Sequence, residues 1–259
     1  MAVRARQTLE LRPLSPTVGV ELALADLFDL DSATVEALLA ALDQYALLLF
    51  RGQHLSPEQL IAITRRFGVA ERFPEARATN EFPEVCIVTN DPRQAPAQPV
   101  YWHTDGAQQP QPPSLSLFYA VRTPSSGGET LFADARDAYD SLPAKLRQRI
   151  EGRRAILPSG LEQPLVRVHP RTGRRAIYAD FGRTVGITGL DRDDARTVLR
   201  ALRDHVARPG AVYTHSWAPG ELALWDNAAL LHSATSPDAT DGHRVMWRTS
   251  VRGDSVISG

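Results

Sequence analysis

The segment His103-Thr104-Asp105 sets an imidazole and a carboxylate two positions apart, and a distant histidine, His232, can join them on one metal ion. In an extended chain residues i and i+2 project to the same side, so the spacing predicts His103 and Asp105 turned toward the ion and Thr104 turned away. Two imidazoles and a carboxylate, with no thiolate, suit iron, manganese or zinc rather than a structural zinc cluster. Three ligands on one face leave the opposite face open for exchangeable molecules, the arrangement of non-heme Fe(II) oxygenases. A lone His-x-Asp pair also occurs as a surface pair or a core hydrogen bond, so the surrounding motifs decide its meaning.

Those motifs are ordered along most of the chain. Trp102 precedes the pair; Gly127-Gly128-Glu129-Thr130 runs into Leu131-Phe132-Ala133-Asp134 and a helix containing Asp137-Ala138-Tyr139. Val166-Arg167-Val168-His169-Pro170 is followed by Gly173-Arg174-Arg175. Trp225-Asp226-Asn227 leads to His232, with Arg244 and Arg248 twelve and sixteen residues beyond it. Together they resemble the taurine dioxygenase and 2,4-dichlorophenoxyacetate dioxygenase (TauD/TfdA) family of Fe(II)/2-oxoglutarate-dependent dioxygenases.

The resemblance implies that His103, Asp105 and His232 hold Fe(II), and that Arg244, helped by the Thr130 hydroxyl, anchors the distal carboxylate of the co-substrate 2-oxoglutarate. A guanidinium suits that task because it is always charged and binds carboxylates in a bidentate fashion. It further implies that Arg248 meets the acidic group of a small anionic substrate, a carboxylate above all. Oxygen is the second co-substrate. The products would be succinate, carbon dioxide and a substrate that is hydroxylated, oxidatively cleaved, desaturated or cyclised. Alternation along a last strand puts Arg244, Met246 and Arg248 on one face and Val245, Trp247 and Thr249 on the other. Taurine itself is disfavoured: Pro99 stands where taurine-acting relatives carry an asparagine, and no histidine follows Phe67-Gly68-Val69. The stretches 129–139 and 166–175 are nearer to the aryloxyacetate-type branch. Two other readings of the ligand set are a zinc-dependent hydrolase and a non-catalytic small-molecule-binding barrel.

Composition excludes several other chemistries. The 259 residues suffice for one sizeable core, and a single domain over 1–259 is expected. A net charge of −1, with scattered basic residues, gives no footprint for nucleic acid. Cys86, the only cysteine, rules out an internal disulfide, a cysteine-rich zinc site and an iron–sulfur cluster; within Val85-Cys86-Ile87-Val88 it reads as a small buried apolar residue. Lys145 is the only lysine among 29 Lys and Arg residues and sits in a polar stretch, which disfavours Schiff-base chemistry and a lysine phosphate loop. No apolar run approaches the ~20 residues of a membrane span, and Met1 to Arg6 opens no secretory segment, so a cytoplasmic protein without a membrane partner is expected. The family resemblance implies a homodimer or homotetramer.

The elements that must position these residues are readable in part. Asp31-Ser32 caps an amphipathic helix over 35–42 that leads into an apolar strand over 46–50, and Ser56-Pro57-Glu58 opens a helix ending near Phe67. Strands are expected over 85–88, 115–120, 129–133, 176–179, 211–215, 221–225 and 245–251, with a helix over 192–206. The fold class is therefore mixed, mainly β: a double-stranded β-helix, or jelly roll, flanked by helices. The polar, proline-rich segments 91–99 and 108–113 flank the first ligand pair as connections or as a lid, and an exposed loop is expected from Ser233 to Gly242. His54, His205 and His215 read as structural or solvated, His243 as turned away from the site, and Trp102 and Trp225 as packing. Asp226 and Asn227 are candidates for supporting a ligand.

Overall fold

The computed structural model describes residues 10–24, 27–28, 30–74, 81–91, 101–235 and 242–259. Two short strands, β1 (Leu11–Pro13) and β2 (Val20–Leu22), precede helix α1 (Ser32–Tyr45), strand β3 (Leu47–Phe50) and helix α2 (Pro57–Phe67). Asp31 starts α1 by accepting the Thr34 amide, and Ser56 with Gln59 forms a capping box on α2, with Pro57 in the first turn. Ala46, at φ 64°, ends α1 in the left-handed conformation and turns the chain at once into β3.

Next come β4 (Cys86–Thr89), β5 (Leu115–Arg122), β6 (Thr130–Asp134), α3 (Ala135–Asp140) and α4 (Ala144–Ile150). Five short strands follow: β7 (Arg154–Ile156), β8 (Glu162–Pro164), β9 (Val166–Val168), β10 (Arg175–Ile177) and β11 (Gly186–Ile187). The chain closes with α5 (Arg192–Val206), β12 (Val212–His215), β13 (Leu222–Asp226), β14 (Leu230–Ala234) and β15 (Val245–Val251).

Seven strands form the major sheet in the order β1-β2-β3-β13-β5-β15-β4, and three form a minor sheet in the order β12-β6-β14. Side-chain alternation explains how they stack. Leu47 and Leu49 of β3, Phe118 of β5, Trp225 of β13 and Met246 of β15 cluster with Phe132 of β6 and Leu230 of β14, so the two sheets face each other across this layer. The intervening residues Leu48, Phe50, Leu117, Tyr119 and Leu224 pack on the opposite face, against Leu38 and Leu42 of α1 and Leu60 and Ile63 of α2. A strand buried on both faces has no polar side, which is why β3 reads as an unbroken apolar run. Behind the minor sheet, Ala133 and Leu231 meet Ala138, Val198 and Leu202 of α3 and α5. This is the expected jelly roll with flanking helices.

The differences from expectation have local causes. His103 lies in no continuous strand: it makes an isolated bridge to His232, and Asp105 already enters a turn. Ser233 and Ala234 belong to β14 rather than to an exposed loop. In segment 108–113, Gln108 to Gln111 are exposed but Pro112 and Pro113 are buried. Pro99, most of segment 91–99 and the remainder of the loop before Gly242 lie outside the described residues. Among the described residues, no helix is long and apolar enough to cross a membrane.

Candidate active site

The two histidines are joined through their backbones. His103 N donates to His232 O at 2.9 Å and His232 N to His103 O at 2.8 Å, which brings the imidazole centroids to 4.3 Å. His103 Nδ1 lies 2.8 Å from the Tyr101 carbonyl; a carbonyl only accepts, so Nδ1 donates there and Nε2 is the ring nitrogen available to an ion. Asp105 reaches the same point from the turn, its Oδ1 3.9 Å from His232 Nε2. The donor atoms of His103, Asp105 and His232 all lie within 4.8 Å of one another.

Electrostatics prepares this set for a cation. Burial, with His103 beside it, pushes His232 down to about 3, so the imidazole is neutral at physiological pH. Burial alone would raise Asp105, but Arg248, both histidines and the Ser116 hydroxyl hold its carboxyl down at about 2. Two imidazoles and one carboxylate, without a thiolate, fit a single Fe(II)-type ion.

Asp105 is held from behind. Ser116 Oγ donates to Asp105 Oδ2 at 2.7 Å, Asn227 Nδ2 donates to Ser116 Oγ at 3.0 Å, and Trp225 Nε1 donates to Asn227 Oδ1 at 3.0 Å. Thr104 turns away, as expected, and donates to the Asn227 carbonyl at 2.9 Å. Asn227 thus supports the ligand set, whereas Asp226 belongs to another network.

Gly127 and Gly128, at φ 72° and 74°, turn the chain into β6 in a conformation that side chains rarely adopt. This places the Gly128 carbonyl 2.6 Å from Arg244 Nη1. Among the described residues Arg244 Nε is buried without a hydrogen-bond partner, and burial lowers the guanidinium to about 10. Such a group calls for an anion. Thr130, two residues after Gly128, begins β6 and borders the same space.

Arg248 lies on the inward face with Met246, as alternation requires, while Trp247 and Thr249 face outward toward α2. Its Nη1 is 2.6 Å from Asp105 Oδ1 and its guanidinium lies over the Phe73 ring at 5.4 Å. All six residues singled out in the sequence line one pocket that opens to solvent.

Sequence reasoning missed other residues of its wall. Tyr101, Asp180 and Arg183 form one side, Arg183 Nε donating to the Tyr101 hydroxyl at 3.2 Å. Burial raises the Asp180 carboxyl, with His103 and Arg183 opposing that shift. These residues come from loops with no periodicity or motif to mark them. Ser116 and Trp217 were also unmarked, the first a single hydroxyl inside the apolar β5, the second in the loop after β12.

A second trio, Asp43, His169 and Asp226, also brings its donor atoms within 4.8 Å. Here the imidazole is committed elsewhere: Nδ1 accepts the Arg171 and Thr172 amides, so Nε2 bears the proton it directs at Asp226, 3.1 Å away. Arg171 supplies the cation, reaching Asp43 at 2.8 Å and Asp226 at 2.5 Å. This trio is an ion-pair network. His215 is likewise structural, pinned by Tyr213 and Glu221 at 2.9 Å each, and His205 bonds to the Ala138 carbonyl at 3.0 Å.

The sequence profile described as "Taurine catabolism dioxygenase TauD, TfdA family" matches residues 10–250. An (S)-phenoxypropionate/alpha-ketoglutarate-dioxygenase of Sphingobium herbicidovorans is 36% identical, the alignment covering 95% of each chain. A taurine dioxygenase from Burkholderia xenovorans superposes with a TM-score of 0.86 at 33% identity, covering 97% of this chain and 95% of that one. AAD-2, solved in complex with Mn(II) and N-oxalylglycine, superposes at 0.84 with 26% identity over 96% and 99%. None of these relatives supports a zinc hydrolase or a non-catalytic barrel. With this cavity and this likeness over nearly its whole length, the chain belongs to the TauD/TfdA family and is an Fe(II)/2-oxoglutarate-dependent dioxygenase.

Proposed function

We propose that His103, Asp105 and His232 hold the iron, that Arg244 and Thr130 receive the distal carboxylate of 2-oxoglutarate, and that Arg248 receives the acidic group of a small carboxylate substrate. The observation that carries this reading is the buried Nε of Arg244, without a partner among the described residues, in a cavity that also holds the three metal-binding candidates. Bound iron supplies the coupled chemistry in which oxygen decarboxylates 2-oxoglutarate to succinate and oxidises a C–H bond of the substrate. The protein's part is positional. Arg244 and Thr130 fix one end of the co-substrate, while Ser116 and Asn227 fix the Asp105 carboxylate. Arg248 neutralises Asp105 and offers its remaining donors to an anion. The apolar wall of Ile87, Val88, Phe118 and Trp225 suits the hydrocarbon or aryl part of such a molecule. Phenoxypropionate, the substrate of the Sphingobium relative, combines these two features.

The test is an anaerobic titration of metal-free protein with Fe(II) and 2-oxoglutarate, following the visible charge-transfer band of the chelate. His103→Ala abolishes the band and Arg244→Ala shifts its 2-oxoglutarate midpoint upward. Iron uptake with no band in the unmutated protein would refute the assignment. Succinate release with aryloxy-carboxylates, lost in Arg248→Ala, tests the substrate class. We also propose the cytoplasm as the compartment and a homodimer or homotetramer as the assembly, which sedimentation of the purified protein checks.

A further inference from the structure

The hydroxyl of Thr130 has a partner outside the ligand sphere. Trp217 Nε1 donates to Thr130 Oγ1 at 2.9 Å, and both residues are buried. An indole N–H can only donate, so Thr130 Oγ1 is the acceptor and its own proton must point elsewhere. Among the described residues no acceptor meets that proton, and Thr130 borders the cavity. On the same wall, Arg244 grips the carbonyl of Gly128, two residues before Thr130. The start of β6 therefore brings two donors to one space: its own Thr130 hydroxyl and the Arg244 guanidinium, which the Gly128 carbonyl holds from the approach to β15.

Trp217 cannot easily turn away. Its ring stands edge-on to Phe118 at 5.4 Å and 77° and to His215 at 4.5 Å and 87°. His215 in turn is fixed at both nitrogens, by the Tyr213 hydroxyl and by Glu221 Oε2. Glu221 also accepts the Ala218 amide at 2.8 Å and pairs with Arg51. A chain of polar bonds, with one ring contact between His215 and Trp217, thus runs from Arg51 inward to Thr130.

We propose that Trp217 is a positioning residue for the co-substrate: by occupying the acceptor side of the Thr130 hydroxyl, it makes that group an obligate donor toward the distal carboxylate of a 2-oxo diacid. Without the indole N–H, the hydroxyl rotates among several arrangements and has to be reoriented on each binding event. This rests on the assignment of Arg244 and Thr130 to the distal carboxylate made above.

The experiment uses the Mn(II)-loaded protein and measures binding of 2-oxoglutarate and of 2-oxobutyrate, which lacks the distal carboxylate, by calorimetry. Trp217→Phe keeps the aromatic packing and removes only the N–H. The expected result is about five- to tenfold weaker 2-oxoglutarate binding, the loss of roughly one hydrogen bond, with 2-oxobutyrate affinity unchanged. In turnover the KM for 2-oxoglutarate rises and kcat stays the same. In a Thr130→Val background, which probes the same bond from its other end, Trp217→Phe brings no further loss. Unchanged 2-oxoglutarate affinity, equal loss for both acids, or full additivity with Thr130→Val would each overturn the proposal. Arg244→Ala separates the two levels: if it weakens 2-oxoglutarate and Trp217→Phe does not, only the role of Trp217 fails; if neither does, the distal-carboxylate assignment fails with it.

Discussion

Ser116 Oγ stands 2.7 Å from Asp105 Oδ2, fixing the one carboxylate of the metal-binding set from the middle of the major sheet. Such supporting contacts commonly account for a 10- to 100-fold difference in metal affinity. Ser116→Ala is therefore expected to weaken Mn(II) binding by about tenfold while the fold survives. A titration giving the same dissociation constant as the parent would show that Arg248, 2.6 Å from Asp105 Oδ1, and the backbone suffice.

Acid stability is expected to depend on Arg171. Burial would raise the Asp226 carboxyl, but His169 and Arg171 hold it below its ordinary value. A carboxyl lowered on folding adds stability that is fully present above its unfolded value near pH 4 and disappears as pH falls through the folded value. Arg171→Gln moves the acid-unfolding midpoint upward and costs about 1–2 kcal/mol at neutral pH, discounted because Arg171 is partly exposed. Circular dichroism against pH reads both effects.

Arg136 is fully buried and reaches Asp134 at 2.6 Å while donating to the Asp43 and Gln44 carbonyls, which links α3 to the end of α1. Arg136→Met leaves Asp134 buried without its cation, and a loss of roughly 3–5 kcal/mol is expected in urea unfolding. Asp134→Asn on top of it removes the stranded charge while keeping an acceptor for the α3 amides, and recovers part of that loss.

A methyl group on Gly182 would come within 2.4 Å of the Tyr101 ring. Gly182→Ala thus pushes Tyr101 aside, and with it the carbonyl that orients His103 Nδ1. The expected signature is weaker Mn(II) binding and altered substrate selectivity with little change in melting temperature. Unaltered metal affinity would mean that the Trp102 carbonyl, held by the Phe181 amide at 3.1 Å, carries that segment alone.

The three metal-binding candidates were legible because imidazoles and a carboxylate at His103, Asp105 and His232 are a recognisable donor set, and Arg248 sits on a strand whose alternation is predictable, with Arg244 just before it. The long apolar strands β3, β5, β13 and β15 were visible for the same reason, each fixed by burial. Strands β7, β8, β9 and β11 were mostly not, since two or three residues carry no period and tertiary pairing alone makes them strands. The His103–Asp105 pair was expected in a strand, yet His103 meets its partner by one bridge before the chain turns. Arg183 and Asp180 reach the cavity, and Trp217 reaches Thr130 on its wall, through folding of distant loops, and nothing in their neighbours' spacing announces it.

The paired amides of His103 and His232 have a consequence for how the site comes apart. Each histidine closes the other's backbone hydrogen bond, so neither imidazole can swing out by a loop motion alone. Opening requires breaking the contact between the 101–105 segment and β14, and the two amides should then exchange with deuterated solvent as a pair, at one rate. Mild warming will consequently leave metal capacity flat until the minor sheet itself yields, and capacity will then fall in a single step.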